Sequence, residues 1–183
     1  FYLALSYYFL NDYKKSLLAF KELNGRFKYS SFSTQSYYYQ AIINYSLKNY
    51  TQAVSLFERF LEKYPQGSLR EDAYLGLVQG LLQVGEFASC RDTSQMFRRE
   101  FGLNEKTFQA AVYELYAAYQ LKNYRSLVDS ASDLEVLLRT GQHEFKYQDR
   151  LYLYKALGSL EIKNLDEAYL NFKIIDNNYP DSP

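Results

Sequence analysis

Apolar and small side chains recur along the chain three and four residues apart, in stretches broken by short polar turns. That spacing predicts amphipathic α-helices, because residues three and four apart share one helix face. Residues 37–65, YYYQAIINYSLKNYTQAVSLFERFLEKYP, show the unit most clearly. Tyr37, Ala41, Ile42 and Tyr45 mark one helix; Ala53, Val54, Phe57, Phe60 and Leu61 mark a second, with a tight turn at Lys48-Asn49 between them. Asn49 followed by Gln52 predicts a capping box at the start of the second helix. Pro65 stops that helix, since it has no N–H and its ring collides with the preceding turn.

The unit returns at a fixed period. Its turn reads LNDY at 10–13, LKNY at 47–50, VGEF at 84–87, LKNY at 121–124 and IKNL at 162–165, at intervals of 37, 37, 37 and 41 residues. These turns divide the whole chain, 1–183, into one continuous array of five helix pairs at about 1–30, 34–66, 69–102, 104–140 and 146–180. Gly25 is expected to end the second helix of the first pair in a left-handed stop. The Ser-rich connector at 28–33 follows, with the next helix from about Thr34. Ser68 with Glu71 and Asn164 with Glu167 predict two more capping boxes, and Asn104 is expected to cap the first helix of the fourth pair. The fourth pair is expected to end near Leu138, and the connector RTGQHEFKYQDR then accounts for the longer last interval. Gly76 and Gly80, four apart on one helix, predict close approach by a neighbouring helix.

This arrangement resembles the tetratricopeptide repeat, a helix–turn–helix unit of about 34 residues. Small residues at Ala4, Ala41, Ala53 and Ala168, turn-closing aromatics at Tyr13, Tyr50, Phe87 and Tyr124, and bulky Phe20, Phe57 and Phe172 before Pro65 or Pro180 carry the resemblance. Cys90 and Leu127 stand where a small Ala is expected, and Ser94 where Phe is usual, so the third and fourth pairs should depart most from ideal packing. The resemblance implies an all-α, right-handed α-solenoid of about five repeats. The first helix of each pair would line its concave face. There, Tyr8, Tyr38, Ile42, Tyr45, Leu75, Gln79, Leu82, Val112, Tyr116, Tyr119, Leu153 and Leu157 form the expected partner-binding set, with Leu5, Phe9 and Leu160 beside them. Each is expected to face away from the second helix of its own pair.

Such a surface, aromatic and aliphatic with amides and almost no charge, suits a helix or extended segment of another protein. It lacks the Lys and Asn with which some tetratricopeptide domains clamp a chain-terminal carboxylate. The implied function is a non-catalytic protein–protein interaction scaffold. The alternative is a regulatory or oligomerisation segment of a larger enzyme or membrane-associated protein. The exits FLEKYPQGS and NNYPDSP are similar to those of repeats in bacterial envelope proteins of the outer-membrane assembly lipoprotein and Tol-Pal-associated coordinator types. That similarity implies a periplasmic or envelope-associated location and a role in envelope assembly, with the cytoplasm as the alternative location. No polar capping helix closes either end, so the chain is read as a segment of a longer protein, and its uncapped ends suggest self-association.

Composition narrows the chemistry. Hydrophobic residues make up 48% of the chain, ample for a core, and Tyr 21 with Phe 13 supply bulk without Trp. A net charge of zero offers no field for nucleic acid. No apolar run is long enough to span a bilayer. His143, the only histidine, falls in the long connector and builds neither a catalytic pair nor a multi-histidine metal site. Cys90 reads as a small apolar contact, not a reactive thiol. Glu22, Glu58 and Glu62 read as solvent-face carboxylates, and Arg91, Arg98 and Arg99 as the only basic cluster. No phosphate loop or hydrolase motif is present, and no cofactor is expected.

Overall fold

The computed structural model describes residues 1–141 and 144–182. His143 lies outside the described residues. Ten helices and no strand occur among them: α1 Tyr2–Phe9, α2 Tyr13–Arg26, α3 Ser31–Ser46, α4 Tyr50–Lys63, α5 Arg70–Val84, α6 Phe87–Phe101, α7 Glu105–Gln120, α8 Tyr124–Gly141, α9 Gln148–Glu161 and α10 Leu165–Asn178. The fold is all-α, and each of the five turn motifs falls between two helices. The chain forms two compact units, Phe1–Gly85 and Glu86–Pro183. The break lies inside the third helix pair, at the turn between α5 and α6.

Helix α4 shows why these segments are helical. Ala53, Leu56, Phe57 and Phe60 are buried at helical spacing, while Gln52, Ser55, Glu58, Arg59 and Glu62 face solvent. Burying one stripe stabilises a 14-residue helix that would be marginal alone. Lys63 in its last turn complements the helix dipole. Capping follows the sequence only in part. Asn104 and Thr107 form a full capping box on α7, and Asn164 accepts from the Glu167 N–H at the start of α10. Asn49 makes no side-chain cap on α4, and α5 begins at Arg70 after Leu69, so the expected boxes at Asn49–Gln52 and Ser68–Glu71 do not form. Helix α2 runs through Gly25 to Arg26, because its apolar stripe continues to Leu23 and nothing forces a left-handed residue there. Ser30 caps α3 instead, so that helix starts at Ser31 rather than near Thr34. Helix α8 likewise runs past Leu138 to Gly141.

The turns share one backbone device. Asn11, Lys48, Lys122 and Lys163 all adopt positive φ, between 57 and 62. In the second pair, Lys48 N–H donates to Tyr45 O at 2.9 Å and Asn49 N–H to Asn44 O at 2.8 Å. Equivalent bonds recur at the other three turns. This is a Schellman stop, which satisfies carbonyls the helix end leaves open. Gly85 fills the same role between α5 and α6 with φ 82.

Within each unit, helices close together where one side chain is missing. A Cβ on Gly76 would come within 2.4 Å of the Phe57 ring, and one on Gly80 within 2.8 Å of Val54. Gly158 of α9 makes the same room for Leu127 and Val128 of α8, at 2.7 and 3.0 Å. The bulk of Leu127 at the Ala position is thus accommodated by a glycine in the next helix. Ala4, Phe20 and Ile43 centre one core in the first unit; Phe108, Leu115, Leu127, Leu134 and Leu151 belong to a core in the second.

Candidate partner-binding faces

The expected site residues divide into two groups. Ile42, Leu75, Gln79 and Leu82 in the first unit, and Tyr116, Leu153 and Leu157 in the second, are half-buried on first helices. The Tyr116 ring meets Phe87 and Tyr154 edge-on, with centroids 6.2 and 5.8 Å away. Leu160, beside this set, is exposed.

The other group is engaged inward. Tyr8 packs on Tyr13, Tyr45 on Tyr50 and Tyr119 on Tyr124, with centroids 6.2, 5.2 and 5.5 Å apart. Each pair spans the turn of one repeat, so these rings close their own hairpin instead of facing away from the second helix. The cause is the positive-φ residue, which folds the chain back sharply and brings positions five apart face to face. Tyr38 meets Phe57 and Phe60 of α4, its own pair partner, and burial pushes its hydroxyl pKa well above the ordinary value. Val112 is buried in the core of the second unit. For these five side chains the outward orientation expected from spacing is therefore corrected.

Helical spacing also missed a set of buried polar groups. Gln40, Leu77, Glu114 and Lys155 occupy one repeat position, and Asn24, Leu61, Arg98 and Glu135 another, on the preceding second helix. In the first unit, Asn24 Oδ1 accepts from the Ser33 and Ser36 hydroxyls at 2.8 and 2.6 Å, and Ser36 Oγ accepts from Gln40 at 3.3 Å. In the second unit both positions are ionic. Glu114, only 2% exposed, accepts from Gln95 at 2.9 Å through Oε1. Its Oε2 lies 2.8 Å from Arg98 Nη2 as an ion pair without hydrogen-bond alignment. Burial pushes its pKa up, outweighing the opposing pull of Arg98 and Gln95. One repeat later, Lys155 Nζ bonds Glu135 at 2.8 Å and lies 3.2 Å from Glu167, while Arg139 pairs with the other oxygen of Glu135. Burial alone lowers the pKa of Lys155, but the bonds and charges of Glu135 and Glu167 outweigh it and leave the ammonium above its ordinary value.

The same helices offer little chemistry. Burial pushes the Cys90 thiol up to about 12, leaving it protonated, and Ser94 donates to the Cys90 carbonyl. Glu22, Glu58 and Glu62 are exposed. Among the described residues, no group of three or more His, Cys, Asp or Glu side chains is placed to hold a metal, and no helix is long and apolar enough to cross a membrane.

Residues 35–67 match the tetratricopeptide repeat family model. No curated protein matches the sequence. Among solved structures, MamA from AMB-1 is 14% identical with a TM-score of 0.71, covering 98% of this chain and 90% of that chain. A further MamA structure is 12% identical with a TM-score of 0.73, covering 93% and 90%. A tetratricopeptide repeat protein from Parabacteroides merdae ATCC 43184 is 12% identical with a TM-score of 0.75, covering 97% of this chain and 64% of that one. At such identities the likeness shows the fold, that of tetratricopeptide-like solenoids.

Proposed function

We propose that the chain is a non-catalytic scaffold that holds an apolar segment of another protein against the first-helix faces of its units. The observation that carries this reading is the half-buried, uncharged set Ile42, Leu75, Gln79 and Leu82 on α3 and α5, and Leu153 and Leu157 on α9. Apolar side chains left partly open on regular helices give area at little entropic cost. Tyr8, Tyr38, Tyr45 and Tyr119 support the face from beneath by packing its helices. An envelope-associated setting, with a role in envelope assembly, belongs to the same proposal and rests on the two YP-containing exits. Placing Asp at Ile42 and at Leu157 should abolish capture of the partner while circular dichroism stays unchanged. Placing Asp at exposed Leu18 and Leu170 on second helices should leave capture intact. The opposite result moves the site to the second helices.

A further inference from the structure

Tyrosines cluster on the first-helix face of the second unit. Helix α7 carries Gln109, Tyr113 and Tyr116 at helical spacing, and the adjacent α9 carries Arg150, Tyr154 and Leu157; all six are half-buried. Three rings link three helices: Phe87 of α6 meets Tyr116 of α7, which meets Tyr154 of α9, with centroids 6.2 and 5.8 Å apart. Both contacts are edge-on, at 76° and 62°, so the rings form ridges and slots instead of one flat platform. Gln109 Nε2 donates to the Tyr113 hydroxyl at 3.0 Å, whereas the hydroxyls of Tyr116 and Tyr154 make no hydrogen bond among the described residues. Burial holds the Tyr154 hydroxyl above its ordinary pKa against the pull of Arg150, so it remains a donor at neutral pH.

This chemistry selects among apolar segments. The six side chains include no carboxylate, and helices offer no open backbone edge. A helix docked here would cover the two hydroxyls with hydrocarbon. An extended strand would bring amide N–H groups to a surface with no carboxylate to receive them. A proline-rich segment brings rings and carbonyl acceptors but no N–H. Its polyproline II helix advances about 6 Å in two residues, which matches the ring spacing, and it is already ordered before binding. On the scaffold reading, on which this inference rests, we propose that the first-helix face of the second unit holds a proline-rich segment of the partner in the polyproline II conformation. Its proline rings sit among Phe87, Tyr116, Tyr154 and Leu157, and its carbonyls accept from the Tyr116 and Tyr154 hydroxyls.

The probe is acetyl-decaproline amide, whose blocked ends carry no charge, titrated into the chain by calorimetry. Saturable binding is expected. It should weaken at least tenfold for Tyr116→Phe combined with Tyr154→Phe, which keeps both rings and removes only the hydroxyls, and be lost for Leu157→Asp. Circular dichroism and melting of the double variant should match the parent. Leu170→Asp, at an exposed position of α10, should bind the peptide as the parent does. Equal binding by the double variant would overturn the proposal, since the hydroxyls would then play no part. An amphipathic Leu/Lys helix bound in a manner sensitive to Leu157→Asp, with decaproline ignored, would overturn the proline assignment and leave the scaffold reading standing. Binding of neither peptide would overturn the assignment and remove this face from the scaffold as well.

Discussion

The two units use the same repeat position for opposite chemistry. At the Asn24–Gln40 position the first unit joins its helices through hydroxyls and amides, beside a dense aromatic cluster in which Phe20 stacks on Tyr39 at 5.9 Å. At the equivalent positions the second unit places Arg98 against Glu114 and Glu135 against Lys155, with a largely aliphatic core. A solenoid position tolerates this exchange because each repeat contacts only its neighbours, so a pair can change together without disturbing the rest. The energetic consequences differ. An aromatic contact depends on shape and is indifferent to pH. A buried ion pair is modest in net value yet costly to break, since removing one member leaves an uncompensated charge.

The contrast can be broken first at its apolar side. Phe57→Ala should destabilise the first unit by ~3–5 kcal/mol, because the ring is fully buried and fills the space left by Gly76. Denaturant unfolding with amide exchange in α3 and α4 measures it; a near-native midpoint would mean that the helix pair is assigned wrongly. On the ionic side, Lys155→Ala should cost about 3 kcal/mol, because it removes the partner of one Glu135 oxygen inside the helix packing and leaves only Arg139 on the other. The double replacement Lys155→Met with Glu135→Leu should recover most of that loss, and failure to do so would show that the network itself holds α8 to α9. Next in size, Gly158→Ala should cost about 1–3 kcal/mol, since its new methyl collides with Leu127. The matching measurement is the melting temperature of Gly158→Ala combined with Leu127→Ala, in which the collision is gone.

A pH series sharpens the comparison. The folded pKa of Glu114 lies above its ordinary 4.5, so the folded chain binds this proton more readily than the unfolded chain does. Stability from this group therefore falls as pH rises through the window between the two values, and returns on acidification. Glu114→Gln should lie within ~1 kcal/mol of the parent at pH 7, where the carboxylate is costly. The parent should gain on the variant as pH is lowered toward 4.5. Urea midpoints read this directly, and the reverse slope would mean that Arg98 dominates. The smallest effect belongs to the turns: Lys48→Gly should stabilise by about 0.5–1 kcal/mol by removing the Cβ that makes its positive φ costly.

Much of the fold was legible because its signals are local. The 3.6-residue periodicity of α4 and the recurring LKNY turn each lie within one hairpin, and Gly76 and Gly80 announced a close neighbour without naming it. The candidate site was legible only as a face. Ile42, Leu75 and Leu157 remain half-open there, but Tyr45 and Tyr119 turn inward because a backbone dihedral two or three residues away redirects them. Spacing on a single helix does not carry that dihedral.

From the sequence alone came the helix pairs, their number, their turns and the small residues at their crossings, since these depend on neighbours within a few tens of residues along the chain. Tertiary structure decided the burial of Glu114, Glu135 and Lys155. A charged residue on a helix reads as solvent-facing until its partner, 16 or 20 residues away in Arg98–Glu114 and Glu135–Lys155, is seen to face it. It also decided the break after Gly85 and the packing of Leu127 against Gly158, because both follow from how side-chain volumes fill the space between helices, a balance that periodicity does not record.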